Sequence, residues 1–599
     1  MRKLRTMDKK TIIDRVKAFR SYMDGKGMDA FIVVSSDPHG SEYVADRWKC
    51  REWISGFDGS AGTVVITREK ALLWTDSRYW IAAEKNLKDT GYELMKDGLA
   101  DTPSITDWLC NNLKRGDVVG VDATVCSSVE FGAWRAPLAS CGITVEQVND
   151  PFDELWPERP QIPLSKAWIM PDDVAGESAA SKLARLRDIL KKDGVEGMVV
   201  TMLDEIAWLT NLRGSDVEYN PVFVSYMLVT TDSATLFVDE RKLTADVLEH
   251  LLSQGIDIAP YDTIWKALAD YDKDTLLLHP SRCNAAVAVA VGKKTVYRAD
   301  SPIAVMKAVK NSAEIKGFER AMLSEGVAMV KLLHWLRPAV EQGCVTELDV
   351  DAKLTELRIA DTAFRGLSFA TIAAYGANGA IVHYEPTPAE NAILKPKGFL
   401  LLDCGGQYLD GTTDVTRTIA LGALTDEEKA DYTRVLRGHI SLAIAKFPKG
   451  TCGTQLDVLA RQWLWQAGEN YLHGTGHGVG HFLNVHEGPH QIRMNNVPTH
   501  LVPGMTVTNE PGLYKAGRYG IRIENTMIVR EFCESEFGAF YELSPLTLCP
   551  IDKTPIVQEL LGVEACEYLN SYHAMVYEKL SPYLDGEELE FLKEACEAI

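Results

Sequence analysis

The first half of the chain alternates helical patterns with short apolar runs. Residues 12–37 contain an amphipathic helical pattern, then the polar turn GKGMD, then the apolar run AFIVVSSD, which ends at Asp37. Residues 181–204 repeat this order, from the helical pattern SKLARLRDILKKDG to the apolar run VEGMVVTMLD, which ends at Asp204. A helical period followed by a short apolar run predicts an α/β unit.

Two further pairs of segments follow in the same order. WISGFDGSAG, residues 53–62, parallels WLTNLRGSDV, residues 208–217, and ALLWTDSRYW, residues 71–80, parallels ATLFVDERKL, residues 234–243. Three matched blocks in one order predict two copies of a single α/β module. The proline-rich stretch DPFDELWPERPQIP, residues 150–163, is typical of a linker between them.

A third region combines helices with a strand pair. Residues 312–336 form a long helical pattern, and two strand-like runs, 398–403 and 412–421, flank a glycine-rich turn. Thr425 with Glu428 three residues later forms a capping box, which predicts a helix that begins here and ends near Phe447. The last residues, from about 535, carry helical patterns typical of an appended tail.

Composition narrows the class of protein. The 599 residues are 46% hydrophobic and 25% charged, which is ordinary for a globular protein. The net charge of -21 repels phosphate backbones, so we do not expect a nucleic-acid partner. No stretch approaches the ~18 apolar residues of a membrane span, and the basic N-terminus lacks the apolar region of a signal peptide. The 12 cysteines are scattered without a CxxC pair, so we expect reduced thiols in the cytoplasm.

Four acids stand in two strand contexts of the third region. Asp403 ends the first strand of the predicted hairpin and Asp414 lies in the returning strand. Glu510 lies at the end of a later strand and Glu524 in the strand after it, with His477 between the two pairs in sequence. Opposed residues of an antiparallel pair have Cβ atoms ~4.5–5.5 Å apart. Carboxylates that close repel each other unless a cation lies between them.

This set suits a pair of divalent ions. Four carboxylates and one imidazole match the ligand preference of ions such as Mn²⁺, and paired ions ~3.5–4 Å apart hold a water and a scissile carbonyl. Each residue alone has a plainer explanation: a strand Asp is usually a turn acid, and a His between glycines is usually a loop residue. Taken together, they favour a two-metal site.

The same residues carry a resemblance to a known family. DCGGQYLDGTTD, HGTGHGVG, NEPG and GIRIEN resemble the motifs of the pita-bread metallopeptidases over about residues 305–530. The resemblance implies that Asp403 binds one metal ion, that His477 and Glu510 bind the other, and that Asp414 and Glu524 bridge both. It implies peptide-bond hydrolysis by attack of a water bound to the two metal ions.

Architecture and further motifs resemble the long, three-domain cytosolic aminopeptidase P group of this family. They include WISGFDGSAG, WTDSRYW, LRGSDVEYNPVF, IVHYEP and LNVHEGP. The resemblance implies removal of the N-terminal residue from peptides with proline in the second position, two Mn²⁺ ions and a homodimer formed through the N-terminal module. The implied fold class is α/β with an α+β catalytic domain. The implied division is creatinase-like module I (1–155), creatinase-like module II (160–305), a pita-bread catalytic domain (306–532) and a C-terminal extension (533–599).

Five of the 13 histidines lie between His473 and His490, and the resemblance separates them. His486 corresponds to a histidine that contacts the substrate and the tetrahedral intermediate, where it would act as an oxyanion donor. His383 corresponds to a second substrate-side histidine, and His473 to one that lines the pocket; hydrogen bonding to an acid near the metal ligands is an equal alternative for His473. Metal-bound His477 also borders the substrate. For His481, His490 and His500 we expect surface or packing positions.

Two arginines, one acid and one cysteine complete the predicted site. Glu510 is the candidate that accepts the proton of the attacking water. Arg522 shares a strand face with Glu524, so we expect it to orient a ligand carboxylate, with substrate contact as the alternative. Arg78 corresponds to an arginine that reaches the downstream end of the substrate, although by itself it suggests a surface ion pair. Cys404 follows Asp403 on a strand and should therefore point away from the metal ions.

Two other functions remain open at this point. A prolidase would cleave only X-Pro dipeptides, and the two N-terminal modules argue against it. A non-catalytic binding protein on the same scaffold would lack metal ligands, whereas all five are present here together with His383 and His486.

Overall fold

The computed structural model describes residues 8–298 and 300–599. Residues 1–7 and 299, which belong to the predicted modules I and II, lie outside the described part. The chain forms two compact units: the first contains residues up to Asp172 and Glu177–Ile303, and the second contains Asp173–Gly176 and Ala304–Ile599.

The N-terminal half of the first unit is an α/β module around a six-stranded sheet. Its strands are β1 (Ala30–Val33), β2 (Thr63–Thr67), β3 (Ala71–Thr75), β4 (Tyr92–Lys96), β5 (Val118–Asp122) and β6 (Thr144–Val148). Its helices are α1 (Lys9–Lys26), α2 (Cys50–Ser55), α3 (Trp80–Leu87), α4 (Ile105–Asn112), α5 (Ser128–Ser140) and α6 (Phe152–Leu155).

The second half of this unit repeats the plan. Its strands are β7 (Trp168–Ile169), β8 (Gly197–Val200), β9 (Leu212–Arg213), β10 (Ser225–Thr230), β11 (Ala234–Val238), β12 (Asp257–Ala259), β13 (Leu276–Leu278) and β14 (Thr295–Tyr297). Its helices are α8 (Ala179–Lys192), α9 (Leu203–Thr210), α10 (Ala245–Ser253), α11 (Ile264–Ala269) and α12 (Ala285–Val291). Helix α7 (Asp172–Ala175), which precedes them, and helix α13 (Pro302–Ala308), which follows, belong mostly to the second unit.

The two sheets have the same topology. Their strand orders are β4-β3-β2-β1-β5-β6 and β12-β11-β10-β8-β13-β14. In each sheet the first strand of the module pairs antiparallel with the next long strand, as β1 does with β2 and β8 with β10. It pairs parallel with the strand on its other side, as β1 does with β5 and β8 with β13. The predicted duplication is therefore confirmed at the level of strand order and direction.

The apolar runs form central strands because both of their faces are covered. All four residues of β1 are buried. Ala30 and Ile32 enter one hydrophobic cluster, whereas Phe31 and Val33 enter another. The two-residue alternation of a strand thus distributes one continuous apolar run between two cores.

The expectation that all cysteines are reduced is wrong for one pair. Cys110, in α4, and Cys141, which follows α5, form a disulfide with a Cα–Cα distance of 5.9 Å. They are 31 residues apart in sequence and come together because α4 and α5 pack against each other. The other ten cysteines are free thiols.

The second unit mixes helices with small sheets. Its strands are β15 (Phe364–Leu367), β16 (Ile372–Tyr375), β17 (Phe399–Cys404), β18 (Gly406–Tyr408), β19 (Gly411–Thr412), β20 (Val415–Ala420), β21 (Lys446–Pro448), β22 (Gly476–Gly478), β23 (Glu487–Ile492), β24 (Thr506–Asn509), β25 (Gly512–Lys515), β26 (Tyr519–Arg522), β27 (Asn525–Ser535) and β28 (Gly538–Pro545). Its helices are α14 (Ser312–Glu341), α15 (Glu347–Ile359), α16 (Asp426–Ala443), α17 (Gly453–Trp465), α18 (Gln558–Leu561), α19 (Val563–Leu580) and α20 (Gly586–Ala595).

Local sequence features explain where the helices of this unit begin. The predicted capping box is present: the Thr425 hydroxyl accepts from the Glu428 amide, and the Glu428 carboxylate accepts from the Thr425 amide. Helix α16 ends at Ala443, slightly earlier than predicted. The long helical pattern from Ser312 is α14, where Asn311 and Glu314 form a second capping box.

The C-terminal residues belong to the body of the second unit. Leu569 and Val576 of α19 pack in one hydrophobic cluster with Tyr432 and Val435 of α16. Strand β27 also runs through residue 532, where the sequence suggested a domain end. Among the described residues, none of the helices combines the length and the apolar character needed to cross a bilayer.

Candidate metal centre

The ends of several strands bring the four acids together. Asp403 is the penultimate residue of β17, and Asp414 directly precedes β20, its antiparallel partner. Glu510 directly follows β24. Glu524 lies in the short connection between β26 and β27, where its amide donates to the Thr416 carbonyl at 3.1 Å.

The register differs in detail from the predicted hairpin. Asp403 pairs with Thr416 rather than with Asp414, and Asp414 lies just outside β20. Glu524 likewise lies outside a strand. Hydrophobic alternation predicts which residues form strands but not where strand pairing stops, and here pairing stops next to Asp414, Glu510 and Glu524.

His477 lies among the carboxylates. Its Nε2 is 3.5 Å from Asp414 Oδ2 and 3.4 Å from Glu510 Oε1. Ligand atoms of Asp414, His477 and Glu524 all lie within 4.8 Å of one another. His477 Nδ1 is 2.9 Å from the Gly478 carbonyl, which can only accept, so the ring hydrogen is on Nδ1. Nε2 is therefore the ring nitrogen that faces the acids and would bind a metal ion.

Buried like charges shape the electrostatics of this cluster. Burial raises the pKa of Asp414 well above its usual value, and the charges of Glu524, Asp403 and Glu510 raise it further. Burial also raises the pKa of Glu524, with Glu510 and Asp403 adding to the effect. Mutual repulsion of this kind is relieved when cations lie between the carboxylates.

The donor set fits divalent cations. Asp403 Oδ1 is buried and has no hydrogen-bond partner among the described residues. Carboxylate oxygens with a single imidazole nitrogen are the ligands that ions such as Mn²⁺ accept. Of the five predicted ligands, Asp403, Asp414 and Glu524 are thus buried, His477 and Glu510 are partly exposed, and one oxygen of Asp403 is available for coordination.

Neighbouring side chains orient the acids. Arg522 Nη2 donates to Asp403 Oδ2 at 2.6 Å, the Thr416 hydroxyl to Glu524 Oε2 at 2.7 Å, and the Thr508 hydroxyl to Glu510 Oε1 at 3.2 Å. Arg522 therefore contacts Asp403 rather than Glu524, which is nearer in sequence. Sequence reasoning missed both threonines, although each stands two residues from an acid and so on the same face of an extended chain.

His473 is linked to the acids through other side chains. Its Nδ1 donates to the Gly474 carbonyl at 2.7 Å, and its Nε2 is 2.8 Å from the Tyr514 hydroxyl. Tyr514 also accepts from Arg522 Nη1 at 2.7 Å, and Arg522 continues to Asp403. Nothing in the local sequence pattern identified Tyr514, because its partners are distant in sequence.

His486 stands beside His477, the predicted metal ligand. The His477 and His486 ring centroids are 4.5 Å apart and nearly perpendicular. Glu487, the next residue, is buried and binds both Lys307 and Lys310. This buried ionic contact fixes the chain directly after His486, and sequence reasoning missed both lysines.

His383 follows a residue that contacts the arginine of the site. The Val382 carbonyl lies 3.4 Å from Arg522 Nη2. Arg78, by contrast, belongs to the first unit, where it forms a two-point ion pair with Asp76 and lies over the Tyr79 ring.

The remaining residues occupy packing or surface positions, as expected. His490 is buried, its Nε2 is 2.7 Å from the Thr506 carbonyl, and burial lowers its pKa to about 4. His481 is buried beside the Phe318 ring, and His500 is exposed. The Cys404 sulfur is buried 3.7 Å from Met329 Sδ, which confirms that it points away from the acids.

Comparison with protein families divides the chain in the order expected from the sequence. Residues 15–155 and 158–314 each match a creatinase/prolidase N-terminal domain. Residues 316–531 match metallopeptidase family M24, and residues 539–599 match a C-terminal region of this peptidase family. The expected fold class, two creatinase-type modules followed by a pita-bread domain, is therefore confirmed.

Related proteins match over almost their whole length. The chain is 44% identical to a probable Xaa-Pro aminopeptidase P of Laccaria bicolor, over 97% of this chain and 93% of that protein. It is 41% identical to Xaa-Pro aminopeptidase 1 of Dictyostelium discoideum, over 97% of this chain and 95% of that protein.

One solved structure matches the chain over almost its whole length. X-prolyl aminopeptidase from Caenorhabditis elegans, described as a cytosolic enzyme with a di-nuclear active site, has a TM-score of 0.95 and 34% identity. The match covers 99% of this chain and 100% of that structure. An Xaa-Pro dipeptidase from Bacillus anthracis has a TM-score of 0.50 and 25% identity, over 63% of this chain and 99% of that structure.

Proposed function

The chain belongs to the Xaa-Pro aminopeptidases of metallopeptidase family M24, and from that premise we propose how its residues perform the reaction. The enzyme removes the N-terminal residue from peptides with proline in the second position. The observation that carries this function is the match of the whole chain to Xaa-Pro aminopeptidases together with the acid cluster around His477.

We propose that Asp403 holds one divalent ion, that His477 and Glu510 hold a second, and that Asp414 and Glu524 are shared. Two bound ions would supply a Lewis acid that polarises the scissile carbonyl and lowers the pKa of a water. Mn²⁺ is our expected ion because oxygen ligands dominate the set.

Glu510 is the proposed proton acceptor for the attacking water. Its side chain is 17% exposed, against 12% for Asp403 and 6% for Asp414, so it borders the open side of the cluster. It also lies 3.4 Å from His477 and is oriented by Thr508. A base must be within reach of the proton it takes, and Glu510 is the acid with the best access to a substrate-side water.

The histidines act on the substrate in this proposal. His486, at the edge of the His477 ring, donates a hydrogen bond to the oxygen on which negative charge develops. His383 contacts the substrate from the segment next to Arg522. His473 lines the pocket and, through Tyr514, orients Arg522. Arg78 stays a proposed contact for the downstream end of the peptide.

The prolidase alternative is disfavoured by chain architecture. The Bacillus anthracis dipeptidase structure covers only 63% of this chain, whereas the Caenorhabditis elegans aminopeptidase covers 99% of it at a TM-score of 0.95. The non-catalytic alternative is disfavoured because all five predicted ligands are present and four of them lie around His477 or Arg522.

The direct test is hydrolysis of an X-Pro-Pro peptide by chelated protein, with and without added Mn²⁺. We expect cleavage of the X-Pro bond only after metal is restored. Cleavage of X-Pro dipeptides alone would support a prolidase instead. If elemental analysis finds no bound divalent ion after Mn²⁺ loading, the proposal that this protein is a metallopeptidase is wrong.

Domain limits, assembly and location are also proposals. We propose modules at 1–155 and 160–305, a catalytic domain at 306–532 and a C-terminal extension at 533–599. We propose a homodimer formed through the first module, which light scattering coupled to size-exclusion chromatography would test. A cytosolic location is proposed from the resemblance and is tested by fractionation of cells that produce the protein.

A further inference from the structure

One buried carboxylate accepts hydrogen bonds from both ends of the segment that carries His383. Glu347, the first residue of α15, is 0% exposed. Its Oε1 accepts from the Tyr375 amide at 2.7 Å and from Asn378 Nδ2 at 2.9 Å. Its Oε2 accepts from the Tyr384 hydroxyl at 2.8 Å and from the Ala392 amide at 2.7 Å.

Three of these donors lie within residues 376–392, which we call the His383 segment, and the fourth directly precedes it. Tyr375 ends β16 just before it, Asn378 and Tyr384 lie inside it, and Ala392 is its last residue. Backbone hydrogen bonds between Glu347 and Ala392 and between Val345 and Leu394 fix its far end beside α15. A segment of this length would otherwise have many conformations, and this one is closed at its base and tied at two internal points.

The residues on both sides of His383 are also fixed. The Val382 carbonyl faces Arg522, and Tyr384 packs against the cluster of Ile372, Ala374 and Leu401. At the start of the segment, Gly379 approaches Gly520 so closely that a Cβ on Gly520 would lie 1.7 Å from the Gly379 carbonyl oxygen. The segment is therefore held against β26, the strand that leads to Arg522.

We propose that Glu347 is a positioning residue that fixes the His383 segment and thereby sets the direction of His383 toward the substrate. The inference rests on the proposed substrate-side role of His383. A carboxylate suits this task because it accepts at both oxygens and donates at neither, which matches four donors. An amide of the same shape offers only one acceptor oxygen.

The decisive variant is Glu347→Gln, which keeps the shape but turns one oxygen into a donor. Either Tyr375 and Asn378 or Ala392 then lose their acceptor, while Tyr384 can reverse its hydroxyl. We expect kcat/KM for an X-Pro-Pro peptide to fall by about tenfold to a hundredfold, the order of loss that small misplacement of a substrate-side group causes. Metal content should match that of the wild type.

A double-mutant cycle separates positioning from general stability. In a His383→Ala background, Glu347→Gln should produce little further loss, because its effect passes through His383. Hydrogen exchange should accelerate in Glu347→Gln at the Tyr375 amide or at the Ala392 amide, whichever loses its acceptor. Glu356→Gln, which changes an exposed glutamate of the same helix paired with Lys353, is the matched control and should leave all three readouts unchanged.

Equal losses in both backgrounds, or no loss in either, would overturn the proposal. If Glu347→Gln does not fold, Tyr384→Phe replaces it in the cycle, since it removes only the hydroxyl that bonds Glu347, Asn378 and the Glu390 carbonyl and leaves the base of the segment intact. A wild-type protein that is inactive after Mn²⁺ loading would contradict the proposed function instead. If hydrogen exchange at both the Tyr375 and Ala392 amides is unchanged in Glu347→Gln, Glu347 does not anchor the segment, whatever the activity of the variant.

Discussion

The acids and the histidines of the site are held in place in different ways. The acids stand at or beside strand ends. Strand pairing places Asp403 opposite Thr416, and a backbone hydrogen bond places Glu524 next to the same residue. The substrate-side histidines His383 and His486 stand in connecting segments, and buried side chains from elsewhere hold those segments. Glu347 holds the segment of His383, whereas two lysines hold Glu487, the residue after His486.

This difference separates metal binding from turnover. The acids repel one another and the pKa values of Asp414 and Glu524 are raised, so the cluster is stable mainly when it is neutralised by cations or protons. The histidine segments depend on hydrogen bonds and ion pairs that contain no metal ligand. Variants in the two regions should therefore affect different measurements, and the following predictions test this separation from the largest effect to the smallest.

Asp414→Ala should have the largest effect. It removes a carboxylate 3.5 Å from His477, so metal content should fall and kcat/KM should drop by on the order of a thousandfold or more. The variant should still fold without metal, because one repelling charge is gone. Elemental analysis, peptide hydrolysis and thermal unfolding measure the three effects. Asp426→Ala, in the first turn of α16, is the control, and full metal content in Asp414→Ala would refute the assignment.

His486→Ala should lose turnover and keep metal. Loss of a donor to developing negative charge costs about 10²–10³ in kcat. Steady-state kinetics and metal analysis of the same sample test this. Exposed His500→Ala should behave as the wild type. If His486→Ala instead loses its metal, His486 contributes to metal binding, and the separation of metal binding from turnover is wrong at this residue.

Arg522→Met should give an intermediate effect in both measurements. Asp403 Oδ2 and the Tyr514 hydroxyl would lose their partner, and changes to groups that orient metal ligands cost about 10–100-fold in affinity or activity. Titration with Mn²⁺ and kcat/KM should decline together. Arg530→Met, at an exposed arginine 3.5 Å from Glu319, should change neither, and an unaltered Mn²⁺ affinity in Arg522→Met would contradict the orienting role.

His573 should affect stability in acid and not activity at neutral pH. It is buried and accepts from the Ile551 amide at 3.1 Å, and burial lowers its pKa to about 3. Between pH ~6.5 and about 3, His573 is protonated in the unfolded chain but neutral in the folded chain. The free energy of unfolding therefore decreases as the pH falls through this range. One such group contributes a slope of about 1.4 kcal/mol per pH unit.

The variant His573→Gln keeps an acceptor but does not titrate. The free energy of unfolding in urea, measured between pH 7.5 and 4.5, should therefore decline less steeply in this variant than in the wild type. His439 and His490 contribute slopes of the same sign to both proteins. Parallel pH profiles would show that His573 is already protonated or exposed in the folded enzyme.

Hydrophobic pattern predicted the repeated modules because each module is built from local elements. An apolar run such as Ala30–Val34 forms a buried central strand in any arrangement that covers both of its faces, and the matching run at Gly197–Val200 does the same. Capping residues such as Thr425 act within one helical turn, so the start of the helix was also predicted from the sequence. The disulfide between Cys110 and Cys141 was not predicted, because it depends on how two helices pack.

By itself, the sequence determined the order of modules, the type of each main element and the identity of the acids and of His477, since residue type and motif spacing carry that information. Only the tertiary structure decided which distant groups hold these residues: Arg522 on Asp403, Tyr514 on His473, and Glu347 at the base of the His383 segment. The physical reason is that a buried polar group must find a partner wherever packing brings one, and the chain distance between such partners follows no local pattern.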